Sequence, residues 1–455
     1  MNSFFILTFG CRSNQADSAA IRESFLSHGM AESESFTAAD IVVVNTCTVT
    51  HRSDKQARQA IRRIHRENPA ARVVVAGCYA QRDAAAAAEM PGVCLVAGNA
   101  VKSHIPDLLE TVKKFPDKKI FRPDSLITIE NVDDDKPGKI PPPASLFSSP
   151  HTGTRTRPLV KLQDGCDNRC AYCVVPSVRG PGRSVPPEDV IREIRSLIDL
   201  GFREIVLTGI NLGAYGRRNK GHVRLADILR RIISLPGVGR IRLSSVEPVF
   251  FDREIIRLAG ENHALARHFH IPLQSGSDRV LRLMRRPYTA ARMRELVEFI
   301  HGELPDAGLG TDVITGFPGE TDRDFEETRR FIEETPFSYL HVFPFSPRRG
   351  TEAFSLRGQV PSHIVKARTA EIIGIGRAKN LEFRRRFLKQ PLSAITLSKE
   401  EAEGESVVLT HNFIHARVPG LAVQPNRLVD VRIEEVRGSA TLARIFHGIS
   451  TAGAQ

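Results

Sequence analysis

Residues 157–180 read RPLVKLQDGCDNRCAYCVVPSVRG, a short apolar run followed by three cysteines, Cys166, Cys170 and Cys173, within eight residues. The run has strand character and an Asp-Gly turn signal closes it, so the cysteines stand on a loop at the C-terminal end of a strand. Thiolates are the usual protein ligands of iron–sulfur clusters, and three at CxxxCxxC spacing can wrap a cubane while leaving its fourth iron open. A zinc knuckle would want a fourth Cys or His nearby, and structural cysteines rarely recur at this spacing on a glycine-containing loop. A cluster with an open iron is the reading for this loop.

Downstream, REIVLTG (203–209), RIRLSS (240–245), HFHIPL (268–273), GLGTDVITG (308–316) and YLHVFPF (339–345) repeat the strand pattern. Helical stretches near 187–200, 224–235, 251–259, 277–302 and 322–335 separate them. With RPLVKL they make six βα units, which predicts an incomplete barrel related to the eightfold one, with its chemistry at the strand C-termini. Thr208, Gly209 and Asn211, then Ser244, Ser245 and Glu247, then Gln274 and Ser275 occupy those ends.

Upstream, FFILTFGC (4–11), IVVVNTC (41–47) and RVVVAGC (72–78) alternate with helical stretches near 15–28 and 55–67. That βαβαβ order predicts a small doubly wound parallel sheet covered on both faces. Each run ends on a cysteine, and the C-terminal ends of parallel strands share one edge, so Cys11, Cys47 and Cys78 converge on one crevice. Cys94 opens its own strand, CLVAG, and belongs at the opposite edge.

The chain divides accordingly into an N-terminal unit (1–115), a linker (116–150) rich in turn formers, a barrel unit (151–385) and a C-terminal unit (386–450). A long helix spans about 362–389. The short β-like runs after it predict a small antiparallel barrel. A length of 455 residues fits two or three cores. No apolar run of about 18 residues exists to span a bilayer, and MNSFFILTFGCRSNQ reads as a first strand rather than a secretory leader, so a cytoplasmic chain is expected. Seven cysteines, an odd number, argue against a disulfide framework and for metal or redox chemistry. The net charge of +12 favours a polyanionic partner, and KQARQAIRRIHR (55–66), RLMRRPYTAARMR (282–294) and RRRFLK (384–389) are the stretches that would track phosphates.

TFGCRSNQADS (8–18), VNTCTVT (44–50), GCYAQR (77–82), QDGCDNRCAYC (163–173), HIPLQSGSDRVL (270–281) and TDVITGFPGET (311–321) stand in this order. Together they resemble the radical S-adenosylmethionine (SAM) methylthiotransferase family, most of all the branch that modifies threonylcarbamoyladenosine in tRNA. The resemblance covers nearly the whole chain and implies a TRAM-like C-terminal barrel. It also implies SAM as radical source and methyl donor, and two [4Fe-4S] clusters, one on Cys166, Cys170 and Cys173, the other on Cys11, Cys47 and Cys78. Tyr172 stands as the aromatic residue before the last cysteine. Tyr172, Thr208, Gly209, Asn211, Ser244, Glu247 and Gln274 are the implied cofactor contacts, with Gly316, Pro318 and Gly319 near them, and no protein acid or base is named. The implied reaction is methylthiolation at C2 of the modified adenosine at position 37. The implied partners are tRNA and an electron donor such as flavodoxin or ferredoxin, with a monomeric chain and no membrane. Isopentenyladenosine in tRNA or an aspartate of a ribosomal protein are rival acceptors, and a non-catalytic RNA-binding module with a structural metal is the rival of another class.

Overall fold

The computed structural model describes residues 3–113, 156–218, 223–398, 405–420 and 423–448. The expected linker at 116–150 lies outside the described residues. Five parallel strands, Ser3–Thr8 (β1), Ala31–Glu32 (β2), Ile41–Thr46 (β3), Arg72–Gly77 (β4) and Val93–Ala97 (β5), form the N-terminal sheet in the order β2-β1-β3-β4-β5. Every residue of β3 is buried, because helices cover both faces. Val42, Val44, Val73 and Val75 pack on Ile61 and Ile64 of helix His51–Glu67, whereas Phe4, Ile41, Val43 and Val74 pack on Ile21 and Phe25 of helix Arg12–Ser27. The helix 51–67 starts where Thr50 Oγ1 accepts the Ser53 amide, 3.2 Å away. Its buried Ala57, Ile61 and Ile64 recur at helical spacing.

The barrel unit contains Leu159–Asp164 (β6), the two-residue Arg183–Ser184 (β7), Glu204–Gly209 (β8), Arg240–Leu243 (β9), His268–His270 (β10), Gly308–Thr315 (β11) and Tyr339–Pro344 (β12). They form two sheets, β7-β6-β8-β9 and β10-β11-β12, joined by the bridges Ile241–Leu265 and Ser245–His270. Outward residues, among them Val160, Leu162, Ile205, Leu207, Ile241 and Phe269, build the large core beneath the outer helices. Alternate residues face inward, and most of this set is polar: Lys161, Gln163, Glu204, Thr208, Arg242, Ser244, His268 and His270 are all buried. Helix Arg12–Ser27 of the N-terminal unit lies on that inner face, with Ala16 against Leu159 and Val206.

One expected element is broken in two. The stretch 277–302 folds as helices Asp278–Leu283 and Ala290–Glu303. Pro287 cannot continue a helix and disfavours helical geometry at the residue before it, and Arg285 sits at φ +55°. The long helix runs Ser362–Arg385.

Pro391–Leu397 (β13), Ser406–Thr410 (β14), His415–Val418 (β15), Leu428–Arg437 (β16) and Ala440–Gly448 (β17) close into a five-stranded barrel, β13-β14-β15-β17-β16. Its β14–β15 turn plugs the larger barrel from below. Phe413 there stacks on His268 at 4.0 Å between ring centroids, and Arg242 donates to the Thr410 and His411 carbonyls at 3.0 and 3.1 Å. Among the described residues no helix is long and apolar enough to cross a membrane.

Candidate cluster and cofactor site

Backbone bonds shape the loop that carries Cys166, Cys170 and Cys173. The Cys166 amide donates to Gly180 O and that of Cys173 to Cys170 O, each at 3.0 Å. The Ala171 amide donates to Met284 O at 3.0 Å, and Ala171 O accepts from the Ala353 amide at 2.8 Å, so turns from two distant segments grip the loop. Amide groups of Asn168 and Val175 lie 3.4 Å from the Cys166 and Cys173 sulfurs, and Arg286 Nη1 lies 3.1 Å from that of Cys170. Burial pushes the Cys173 thiol up to about 12 and raises Cys166 as well, so buried thiolates here call for a compensating cation. Donors already aimed at the sulfurs favour the metal-bound thiolates.

Of the residues expected at the cofactor, Thr208 and Ser244 face inward at the ends of neighbouring strands, and Asn211 Nδ2 approaches Cys166 Sγ at 3.8 Å. Thr208 Oγ1, Asn211 Oδ1 and Ser244 Oγ are buried and have no hydrogen-bond partner among the described residues. Buried polar atoms are otherwise almost always bonded, so these three fit a polar ligand beside the cysteine loop. The Asn211 amide donates to Gln163 Oε1 at 2.7 Å, and Gly209 lets the Gln163 side chain pass, since a Cβ there would stand 3.2 Å from Gln163 Cβ. Glu247 pairs with Arg286, whose Nε also donates to Tyr288 Oη at 3.0 Å. Gln274 has φ +67° and bonds through its backbone to Asp312 and Ile314 of β11. The Tyr172 ring meets Phe317 edge-on, at 6.4 Å, in an apolar cluster with Val280 and Met284. Ser245 bonds to His270 Nδ1 at 2.7 Å, whereas Ser275 turns away to Thr328 at 3.1 Å and serves the fold.

Cys11, Cys47 and Cys78 follow β1, β3 and β4 at the C-terminal edge of the N-terminal sheet, where the strand order reverses between β1 and β3. Close approach demands glycine twice. Gly10 and Gly77 both have φ +97°, and a Cβ on them would stand 2.4 Å from Cys47 Cβ and from Thr46 O respectively. Burial pushes the Cys47 thiol up to about 11, and the proximity of Cys78 and Cys11 adds to the rise. Asn99 links this edge to the other loop: its Nδ2 donates to Val178 O at 2.7 Å and lies 3.7 Å from Cys78 Sγ. Cys94 is the second residue of β5, away from this edge, as expected.

Between the two cysteine loops lies a buried ionic network that the sequence reading missed. Asp17 accepts from Lys102 Nζ at 2.7 Å, from Arg179 Nη2 at 2.9 Å and from Lys161 Nζ. Asp164, two residues before Cys166, accepts from Lys161 Nζ at 2.9 Å and from Arg179 Nη1 at 2.9 and 3.0 Å. Burial would raise the Asp17 carboxyl, but the three cations hold it well below the usual carboxylate range. A second link joins Arg348, after β12, to Thr48 and Asp54 at 2.7 Å each. Arg286 and Arg384, in stretches expected to track phosphates, are instead buried: Arg286 at Cys170, and Arg384 on the Ala440 carbonyl at 3.0 Å.

Residues 160–332 match the radical SAM superfamily, and residues 3–114 match the uncharacterized protein family UPF0004. The chain is 37% identical over 418 residues to the threonylcarbamoyladenosine tRNA methylthiotransferase MtaB of Aquifex aeolicus, covering 91% of this chain and 96% of that one. It is 35% identical to the protein of the same name from Bacillus subtilis, covering 94% and 92%. A tRNA-2-methylthio-N(6)-dimethylallyladenosine synthase of Thermobifida fusca is 32% identical, covering 95% and 84%. Among solved structures, the radical S-adenosylmethionine methyltransferase TsrM from Kitasatospora setae aligns with a TM-score of 0.55 at 16% identity, over 78% of this chain and 77% of that one, a likeness of fold.

Proposed function

Because the chain belongs to the radical SAM tRNA methylthiotransferase family, we propose that it methylthiolates C2 of N6-threonylcarbamoyladenosine at position 37 of tRNA, next to the anticodon. The observation that carries this reading is the pairing of two cysteine triads across one buried ionic network, with Cys78 tied through Asn99 to Val178, five residues after Cys173. Relatives named for the threonylcarbamoyl acceptor support the choice at 31–37% identity. Those named for the dimethylallyl acceptor stand at 32–33%.

Cys166, Cys170 and Cys173 would hold a [4Fe-4S] cluster that with SAM would supply the radical, and Cys11, Cys47 and Cys78 would hold a second that would supply the sulfur. The chain positions and shields. Arg286, itself held by Glu247 and Tyr288, sets a positive charge against Cys170. Thr208, Asn211 and Ser244 offer unbonded polar atoms to SAM, and Gly209, Glu247, Gln274 and Tyr172 complete the proposed contact set. Asp17, Lys102, Lys161 and Arg179 lock one cysteine edge against the other, which keeps sulfur and radical in fixed relation and excludes water from the seam. The basic chain takes tRNA as substrate, the reducing electron comes from a flavodoxin- or ferredoxin-type donor, and the protein works as a cytoplasmic monomer. Units 1–115, 151–385 and 386–450, with the linker 116–150, are the division that goes with this reading.

The test is a variant with Cys11, Cys47 and Cys78 all changed to Ala. Iron should fall from about eight to about four per chain, SAM cleavage should survive, and the methylthiolated nucleoside should vanish. Mass spectrometry of the product also separates the threonylcarbamoyl from the isopentenyl acceptor. Continued methylthiolation by the triple variant at a rate comparable to wild type would overturn the assignment.

A further inference from the structure

Among the described residues, one group of three His, Cys, Asp or Glu side chains brings its ligand atoms within 4.8 Å of one another: His270, Asp312 and His341. They stand on the neighbouring parallel strands β10, β11 and β12, on the inner face, with His270 in register with Ser245 and Asp312 in register with His341. Both histidines converge on one oxygen. His270 Nε2 lies 3.2 Å and His341 Nδ1 3.3 Å from Asp312 Oδ1. Metal–nitrogen and metal–oxygen bonds of about 2.1 Å place neighbouring ligand atoms of a tetrahedral or octahedral shell about 3.0–3.4 Å apart, so both spacings are polyhedron edges.

A second observation points the same way. His270 is buried, and its Nε2, 3.2 Å from Asp312 Oδ1, meets no partner in hydrogen-bond geometry among the described residues. Its other nitrogen, Nδ1, bonds Ser245 Oγ at 2.7 Å, the outer contact that fixes the ring and its tautomer in metal-binding histidines. In the tautomer that donates from Nδ1 to Ser245 Oγ, Nε2 turns a lone pair toward the carboxylate oxygen, the arrangement that a cation between them would complete. The His341 side chain is 53% exposed, which leaves the open side of the group toward the barrel mouth.

We propose that His270, Asp312 and His341 bind one divalent first-row transition cation at the mouth of the barrel, apart from both cysteine triads. Two imidazoles and one carboxylate suit manganese, iron or zinc, and the remaining coordination positions are free for oxygen donors of a ligand in the mouth. The site rests on this geometry and does not depend on which acceptor the enzyme uses.

The full-length chain with its cysteines loaded with iron and sulfide is titrated anaerobically with Mn(II), bound ion being counted from the loss of the free-ion EPR signal. One Mn(II) per chain is expected, displaced by Zn(II). Asp312→Asn and His341→Ala should each weaken Mn(II) binding at least tenfold with iron content unchanged. His341 is half-exposed, so its replacement leaves the fold intact where loss of His270 would not. The proposal fails if wild type takes up no saturable Mn(II) up to about 1 mM, or if both variants bind as wild type does, which leaves a hydrogen-bonded trio only.

Discussion

Replacing Asp17 by Asn keeps the side chain's size and removes one charge from the seam between the N-terminal sheet and the barrel. In the native network three cations, Lys102, Lys161 and Arg179, face two carboxylates, Asp17 and Asp164, and all five side chains are less than a tenth exposed. The substitution leaves three cations against one carboxylate. Asp164 still serves Lys161 and Arg179, but Lys102, whose partner in the network is Asp17 alone, is stranded. A buried charge left without its partner costs about 3–5 kcal/mol, so a loss of about 4 kcal/mol is expected. Urea unfolding of the reduced, cluster-free protein at pH 7, followed by far-UV circular dichroism, should show the midpoint lowered by about 1–2 M. Asp17→Asn combined with Lys102→Met restores two cations against one carboxylate and should recover at least about 1 kcal/mol relative to Asp17→Asn alone. The reasoning is refuted if Asp17→Asn lies within about 1 kcal/mol of wild type, or if adding Lys102→Met only deepens the loss.

Two further outcomes concern the floor of the barrel. Burial would raise the Glu204 carboxyl, but Arg242, Arg240 and Arg157 hold it at about 2. A depressed carboxylate contributes stability above its unfolded value of about 4.3, so roughly 3 kcal/mol should be lost as pH falls from about 5 toward 2, and Glu204→Gln should flatten that part of the acid-unfolding curve. Phe413→Ala removes the ring stacked on His268 and packed near Tyr339, and should lower unfolding free energy by about 2 kcal/mol, read by calorimetry, while iron binding to the cysteines is retained.

Several elements were legible because their signals are local. A parallel strand buried on both faces must be apolar throughout, and IVVVNT and RVVVAG say so without help from the rest of the chain. CxxxCxxC spacing holds its three cysteines on one short loop. Even the break in the expected helix 277–302 has a local mark in Pro287, whereas the contact it allows, Arg286 turned onto Cys170, is tertiary.

Sequence by itself determined the strand order along the chain and the sheet edge on which Cys11, Cys47 and Cys78 stand, since strand ends and chain direction decide where a residue lands in a parallel sheet. The tertiary structure alone decided which charges go inside. Asp17 and Arg179 are 162 residues apart, Arg348 and Asp54 are 294 apart, and in sequence each looks like any surface charge. Nor could sequence show that RRRFLK and RLMRRPYTAARMR each send an arginine into the interior, or that the turn after β14 enters the barrel to meet Arg242. A charge is buried only where partners satisfy it, and those partners come from segments whose meeting no periodicity encodes.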